Sequence, residues 1–192
     1  MRLLVHACCG PCLLAPARAL AAEGHELVVY WYNPNIQPYR EYRRRLAALR
    51  EVAAREGYRL AVDDRYDPDF FLRTVIPGRE GRCPACYAER LGRAAARARA
   101  ESCDAVTTTL LASRYQAQDE LAGALVGAAA AAGVEAFVRD FRPYDAASHA
   151  LARELGIYVQ GYCGCIYSEE ERYRRGRVPR REAGGSDVEV GD

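Results

Sequence analysis

Short apolar runs alternate with longer amphipathic segments along most of the chain. Five of the runs are apolar and often β-branched, as expected of buried strands. These predicted strands cover residues 2–7, 26–32, 58–62, 105–109 and 135–138. Between them the apolar residues recur at helical spacing. The predicted helices cover residues 13–23, 39–55, 69–75, 84–100, 115–132, 145–155 and 169–174. Strands that alternate with helices indicate an α/β fold with a mostly parallel sheet flanked by helices.

In such a sheet the functional site lies outside the carboxyl ends of the strands. The segments just past the strands should therefore converge there. They are residues 8–12, 33–38, 63–67, 110–115 and 139–144. The length of 192 residues is typical of one domain. We assign residues 1–175 to a single α/β catalytic domain and predict a disordered tail over 176–192, where Gly, Pro, Arg and acidic residues dominate.

The composition is that of an ordinary globular protein, with 50% hydrophobic and 28% charged residues and a net charge of +1. All 27 basic residues are Arg, which genomic base composition explains and which also permits nucleic-acid binding. No secretory segment and no apolar stretch of membrane-spanning length is visible, so we expect a cytoplasmic protein without a membrane partner. In that compartment, eight cysteines indicate metal or redox chemistry rather than structural disulfides.

Four cysteines form two pairs that suit a metal centre. Cys83 and Cys86, in CPAC, lie at the start of a predicted helix, which favours the thiolate form. Cys8 and Cys9 are adjacent, so their side chains point apart, and a bulky cluster accepts both more easily than one tetrahedral zinc ion. Together the pairs supply the four thiolates of a 4Fe–4S cluster, with a zinc site of four thiolates as the alternative.

The sequence leaves open the roles of three of the four remaining cysteines. Cys163 and Cys165, in CGC, are spaced for a small, easily reduced disulfide, or they are two more metal ligands. Cys12 is an extra ligand or a small core residue. Cys103 is expected to be a buried hydrophobic residue.

Polar and aromatic residues after the other strands are candidates for substrate binding. They are Asn33, Asn35, Gln37, Tyr39, Arg114, Gln116 and Arg142. Tyr39 is suited to stacking on bases and the nearby Arg residues to phosphate contacts, although Arg44 and Arg45 are expected on a solvated helix face. His6 is expected to be a satisfied core residue. The turn CCGPC lacks the glycines of a phosphate-binding loop, so nucleotide hydrolysis is disfavoured.

Five motifs together resemble the epoxyqueuosine reductase family of the QueH type. In chain order they are HACCGPC, YNPNIQPYREYRRR, GRCPACYAERL, TTTLLASRYQ and QGYCGCIYS. The resemblance runs from about Leu3 to Ser168. It implies a Rossmann-like domain related to the adenine-nucleotide α-hydrolase group. It also implies the last step of queuosine synthesis, in which epoxyqueuosine at the tRNA wobble position loses its epoxide oxygen as water without cobalamin.

The resemblance also implies the cofactors. A 4Fe–4S cluster is expected on Cys8, Cys9, Cys83 and Cys86, and Cys163 and Cys165 are expected to form a redox-active disulfide. A second, mononuclear iron is associated with the family, and Cys12 is one candidate ligand for it. The expected partners are tRNA and an unidentified electron donor, and we expect a monomer.

Removal of the epoxide oxygen also requires a proton donor. Tyr66, Asp67 and Tyr115 are candidates, and the sequence does not choose among them. Two other functions stay open from the residues alone: a sulfur-transfer enzyme acting on tRNA, and a zinc-stabilised RNA-binding module. The missing phosphate loop disfavours the first of these.

Overall fold

The computed structural model describes residues 1–76 and 78–174 of the protein. The strands in this part of the chain are β1 (Arg2–His6), β2 (Glu26–Trp31), β3 (Arg59–Val62), β4 (Ala105–Thr108) and β5 (Glu135–Ala136). They form one parallel sheet in the order β3-β2-β1-β4-β5. The predicted α/β fold with a parallel sheet is therefore confirmed.

Helices connect the strands. They are α1 (Gly10–Ala22), α2 (Tyr39–Glu56), α3 (Pro68–Phe70), α4 (Arg82–Ala100), α5 (Gln118–Ala132), α6 (Asp145–Glu154) and α7 (Ile166–Tyr173). A π-helical turn, Phe71–Val75, continues α3. Helix α1 packs against α2 and α6, whereas α4 packs against α5, β1 and β4.

Several predicted bounds differ from the structure by two or three residues; helices α1 and α7, for example, each begin three residues before their predicted starts. The helix predicted from residue 115 begins at Gln118, because Ser113 makes a local turn in which its hydroxyl accepts from the Tyr115 N–H at 3.3 Å. The helix predicted over 69–75 is α3 followed by the π-helical turn. Strand β5 ends at Ala136, two residues before the predicted end.

The order of the strands sets the position of the site. The chain moves outward from β1 through β2 to β3, and then returns across the sheet to β4 on the other side of β1. A crevice forms at the carboxyl edge where the strand order reverses. Here it lies between the ends of β1 and β4. The fully buried side chains of Leu3, Leu4 and Val5 hold β1 in the core.

Gly10 allows α1 to begin close to its neighbour. A Cβ atom at this position would lie 2.9 Å from the carbonyl oxygen of Ala48 in α2, too close for any larger residue without a shift of the backbone. The glycine of CCGPC therefore serves helix packing.

Within the residues described, none of the helices combines the length and apolarity needed to cross a membrane. The tail predicted over 176–192 lies outside the described residues.

Candidate functional site

The ends of β1 and β4 meet at Cys8 and Thr109. The backbone N–H of Cys8 donates to the Thr109 hydroxyl oxygen at 3.0 Å, and that hydroxyl lies 3.3 Å from the Cys8 sulfur. One side chain therefore ties the first cysteine to the neighbouring strand at the reversal of strand order. This is the edge at which the sequence predicts the site.

Cys8, Cys9 and Cys12 form a compact group that we call the first thiol set. Their sulfur atoms all lie within 4.8 Å of one another. The start of α1 explains the geometry, because Cys9 is the N-cap residue and its sulfur accepts from the Cys12 N–H at 3.4 Å. The side-chain amide of Gln160 lies 2.9 Å from the Cys9 sulfur and 3.5 Å from that of Cys12. Three soft donors converge here and are able to hold a metal.

The three thiols of the first set differ in acidity. Hydrogen bonds from Cys12 and Cys9 hold the pKa of Cys8 well below its ordinary value. Burial raises the pKa of Cys9, and the hydrogen bond that Cys12 makes to Cys8 raises the pKa of Cys12. Without metal, Cys8 is therefore the most acidic thiol of the set.

Cys83, Cys86, Cys163 and Cys165 form the second thiol set, and all four line one small cavity. Asn35, Tyr87, Arg90 and Gln116 line the same cavity. The sequence predicts that Cys86 tends toward thiolate at a helix start, but that prediction is wrong for the metal-free protein. Loss of water contact raises the pKa of Cys86 to about 12, because its desolvation outweighs the attraction of Arg90.

The CGC turn is held by its backbone. Gly164 has a φ of +137°, and a Cβ there would lie 2.8 Å from the Asn35 amide nitrogen, so the position requires glycine. Its carbonyl oxygen accepts from the Gln37 N–H at 2.9 Å. All eight cysteines of the chain are described and none of them is in a disulfide, so Cys163 and Cys165 form no disulfide here.

Arg45 corrects one prediction. The sequence places it on a solvated helix face, but it is only 2% exposed and forms an ion pair with Glu41 at 2.6 Å. Its guanidinium donates to the carbonyl oxygens of Cys163 at 2.9 Å and Tyr162 at 3.0 Å. It lies under the CGC turn, a contact between distant segments that helical spacing alone does not reveal. Arg44 is exposed, as predicted.

Two further contacts tie the site together. Arg90 donates to the Cys86 sulfur at 3.9 Å and to the Asn33 side-chain oxygen at 2.6 Å, and the Asn33 amide in turn donates to the Ala7 carbonyl oxygen at 2.9 Å. The second contact runs through Gln116, which accepts from the Tyr87 hydroxyl and donates to the Cys163 sulfur.

The Tyr87 hydroxyl oxygen lies 2.7 Å from the Gln116 side-chain oxygen, and the Gln116 side-chain nitrogen lies 3.6 Å from the Cys163 sulfur.

Sequence reasoning missed Tyr87, Arg90, Thr109 and Gln160. Arg90 follows Cys86 by four residues, and this spacing on a helix is a signal that identifies it.

The predicted substrate-binding residues divide into two groups. Asn35 and Gln116 line the cavity, and the Asn35 side-chain oxygen is buried without a hydrogen-bond partner among the described residues. Asn33 and Gln37 are buried in the loop after β2 and support it. Tyr39 is exposed, and its ring contacts that of Tyr66.

The other predicted residues lie outside the thiol cavity. Arg114 forms an ion pair with Asp145 and Arg142 with Asp140, and both arginines line a second, shallow pocket. Tyr66, Asp67 and Tyr115 do not line the thiol cavity in the described structure. Asp67 caps α3 through the Phe70 N–H. The roles of these residues stay predictions.

His6 is a core residue, as predicted. Its Nδ1 lies 2.9 Å from the Thr108 hydroxyl and its Nε2 lies 3.1 Å from the Tyr32 carbonyl oxygen. Only the ring can donate to a carbonyl, so Nε2 carries the proton. Burial lowers the pKa of His6 to about 3, which keeps the ring neutral. Cys103 is also buried in the core, as predicted.

Comparison with known proteins gives a consistent result. The family model of Epoxyqueuosine reductase QueH matches residues 3–171. An epoxyqueuosine reductase QueH of Dehalococcoides mccartyi is 33% identical over 178 residues, which cover 93% of this chain and 98% of the relative. The protein of the same name from Thermotoga maritima is 31% identical, covering 94% and 97%. That of Haemophilus influenzae is 30% identical, covering 99% and 79%.

Proposed function

Because the chain belongs to the epoxyqueuosine reductase QueH family, and is an oxidoreductase, we propose that it reduces epoxyqueuosine at the wobble position of tRNA to queuosine. The epoxide takes up two electrons and two protons. Both carbon–oxygen bonds break, a carbon–carbon double bond forms, and the oxygen leaves as water. A sulfur-transfer enzyme and a non-catalytic RNA-binding module do not fit this family.

The observation that carries the proposal is the all-sulfur donor set at the carboxyl edge of the sheet. Three cysteines of the first thiol set and four of the second are gathered there. The imidazole of His6, at the end of β1, uses both ring nitrogens in hydrogen bonds and is unavailable as a ligand. Thiolates without nitrogen or carboxylate ligands suit zinc and iron–sulfur clusters, so these residues fit the cofactor of the proposed reaction.

We assign Cys8, Cys9, Cys83 and Cys86 as the ligands of a 4Fe–4S cluster, without cobalamin. A bound cluster would supply electrons one at a time. Cys12 is the candidate ligand of a second, mononuclear iron, since its sulfur lies beside those of Cys8 and Cys9.

Cys163 and Cys165 are proposed as the redox-active pair. Oxidation of two thiols to a disulfide releases two electrons and two protons, which equals what the epoxide consumes. Cys163 is exposed and Cys165 is buried, so Cys163 is the one that a reductant can reach. An external electron donor then returns the pair to the dithiol.

Two residues of the thiol cavity are suited to holding the modified nucleoside. The unpartnered side-chain oxygen of Asn35 is an acceptor for a donor group of the substrate, because a buried oxygen without a partner costs free energy. Gln116 lies beside the Cys163 sulfur. Tyr115 is 61% exposed and Tyr39 is exposed too, which suits stacking on bases of a single-stranded anticodon loop. Arg114 and Arg142 are proposed phosphate contacts.

The charge of Asp67 excludes one of the three candidate proton donors. The Phe70 N–H and then Arg65 hold the pKa of the Asp67 carboxyl below its usual range, so this residue is ionised at neutral pH and is a poor donor. Tyr66 and Tyr115 stay candidates. Tyr115 directly precedes the cavity residue Gln116, which favours it over Tyr66.

Two structural expectations are part of the proposal. Residues 1–175 are proposed to form one catalytic domain, and the sheet is proposed to be of the Rossmann-like, α-hydrolase-related type. The reversal of strand order between β1 and β4 supports the second assignment.

The test is anaerobic purification with iron, sulfide and zinc analysis. It is followed by incubation with tRNA that carries epoxyqueuosine, with dithionite as the reductant. We expect about four irons and four sulfides per cluster, and a product nucleoside that lacks one oxygen atom by mass spectrometry. Cys83→Ala should lose both the cluster and the product. The matched control is Cys103→Ala, which removes a buried thiol outside both sets and should keep both.

Two outcomes would overturn the proposal. One is a protein that carries zinc and no sulfide even after anaerobic reconstitution. The other is a Cys83→Ala variant that forms queuosine at the rate of the parent without any cluster.

A further inference from the structure

Arg90 is a buried cation that lacks an acidic partner among the residues that the structure describes. It is 2% exposed and lies on α4, one turn after Cys86. Its guanidinium contacts a neutral amide, that of Asn33, and a sulfur, that of Cys86. Its Nε is buried and has no partner among the described residues, and within that part of the chain it forms no ion pair with a carboxylate. A buried charge without a counter-charge is strongly destabilising.

Arg45 shows how the same fold treats a buried arginine that has a structural role. It is equally buried, but Glu41 neutralises it at 2.6 Å and two backbone carbonyl oxygens accept hydrogen bonds from its terminal nitrogens. Around Arg90 the available anions are sulfurs. Its guanidinium donates to the Cys86 sulfur and, through Asn33, is linked to the Ala7 carbonyl oxygen next to Cys8, so it lies beside one cysteine from each thiol set.

We propose that Arg90 is a positioning residue. Its buried charge is balanced by the thiolates that would hold the cluster, and it sets the reduction potential of that cluster. This inference rests on the proposed function. The structure holds the guanidinium in place through Asn33, whose amide is anchored to the Ala7 carbonyl oxygen just before Cys8. One-electron reduction makes a thiolate-bound cluster more negative, so a fixed positive charge beside the sulfurs favours the reduced state.

The experiment is a redox titration of the loaded protein under anaerobic conditions, followed by visible absorbance, with iron and sulfide measured in every variant. Arg90→Gln removes the charge and keeps a donor. We expect its cluster to be at least tenfold harder to reduce, a shift of about 59 mV to a more negative midpoint potential for one electron. Arg90→Lys keeps the charge, so its midpoint potential should differ from that of the parent by less than about half of that shift.

The matched control is Arg93→Gln. Arg93 lies three residues later on the same helix, but its side chain is half exposed and pairs with Glu89, so solvent screens its charge. We expect the midpoint potential of the parent in this variant.

The outcomes separate this inference from the proposed function. A parent without iron and sulfide would overturn both. A loaded parent and a loaded Arg90→Gln with equal potentials would overturn the role of Arg90 alone. If Arg90→Gln holds no cluster, Arg90→Lys decides: a cluster at the parent's potential supports the charge role, and loss of the cluster there too overturns it.

Discussion

The first thiol set comes from five consecutive positions at the start of α1, whereas the second thiol set joins two segments that lie far apart in the chain. The first is shaped by helix capping, since the Cys9 sulfur accepts from the Cys12 N–H. The second is shaped by buried polar side chains, above all Arg45 under the CGC turn and Gln116 beside Cys163.

This difference predicts two kinds of sensitivity. The first thiol set combines the local hydrogen bond from the Cys12 N–H to the Cys9 sulfur with long-range contacts from Thr109 and Gln160. It should therefore keep its geometry when Arg45 or Gln116 is replaced. A set assembled from distant segments depends on side chains that are neither thiols nor adjacent to thiols. Substitution of those side chains should therefore disturb the second thiol set and leave the first intact.

The largest effect is expected for Arg45→Met. The change leaves the Glu41 carboxylate buried without its partner and frees the Cys163 and Tyr162 carbonyl oxygens, and breaking a buried pair from one side costs about 3–5 kcal/mol. Urea unfolding of the metal-free, reduced protein measures this loss. Alkylation resolved by mass spectrometry should show that Cys165 becomes reactive while Cys9 and Cys12 stay protected.

Arg44→Met is the control for this prediction. Arg44 is the preceding residue, is exposed and stacks over the Tyr158 ring, so its removal should cost no more than about 1 kcal/mol, which is what an exposed cation–π contact contributes. Equal labelling of Cys9 and Cys165 in Arg45→Met would contradict the separation of the two sets. A loss no larger than that of Arg44→Met would show that the buried pair is not needed to hold the turn.

The same contrast explains what the sequence alone reveals. Apolar runs and helical spacing are local, so they predict all five strands and nearly every helix, whereas the strand order depends on pairing between distant segments. The sequence leaves the role of Cys12 open; the structure places it with Cys8 and Cys9 because α1 begins at Gly10, three residues before the predicted start, with Cys9 as its cap. Arg45, Arg90 and Gln160 act through partners far away in the chain, and an arginine on an amphipathic helix resembles a solvated one until the packing is known.

A middle-sized effect is expected for Thr109→Val, which tests the first thiol set. The change keeps the shape but leaves the Cys8 N–H without its acceptor, and an unsatisfied buried donor costs about 1–3 kcal/mol. Metal-free protein should lose this amount of unfolding free energy in urea, with faster alkylation of Cys8 and unchanged protection of Cys165.

Thr107→Val is the matched control. Thr107 is in β4, two residues before Thr109, and its hydroxyl is buried without a partner among the described residues. Replacing that hydroxyl by a methyl group should be neutral or stabilising. If both valine variants lose the same stability, the hydroxyl of Thr109 has no special part in joining β1 to β4.

The smallest effect concerns the ion pair between Arg18 of α1 and Glu56 of α2. Arg18 of α1 donates to Glu56 at 2.8 Å, but the arginine is about half exposed, in contrast to the buried pair of Arg45 and Glu41. The hydrogen bond from Arg18 holds the pKa of Glu56 below its ordinary range. The folded state therefore releases this proton more readily than the unfolded state. The stabilisation is complete above the ordinary glutamate pKa of about 4.3 and is lost as the pH falls through the folded value.

Glu56→Gln should accordingly lower the unfolding free energy by no more than about 1 kcal/mol at pH 7, and by less in high salt, because solvent screens a surface pair. Near pH 2 the parent and the variant should unfold at the same urea concentration, since both then carry a neutral side chain at this position. A larger loss that persists at low pH would mean that Glu56 supports the contact of α1 and α2 by packing rather than by charge. The first thiol set would then depend on α2 as strongly as the second does.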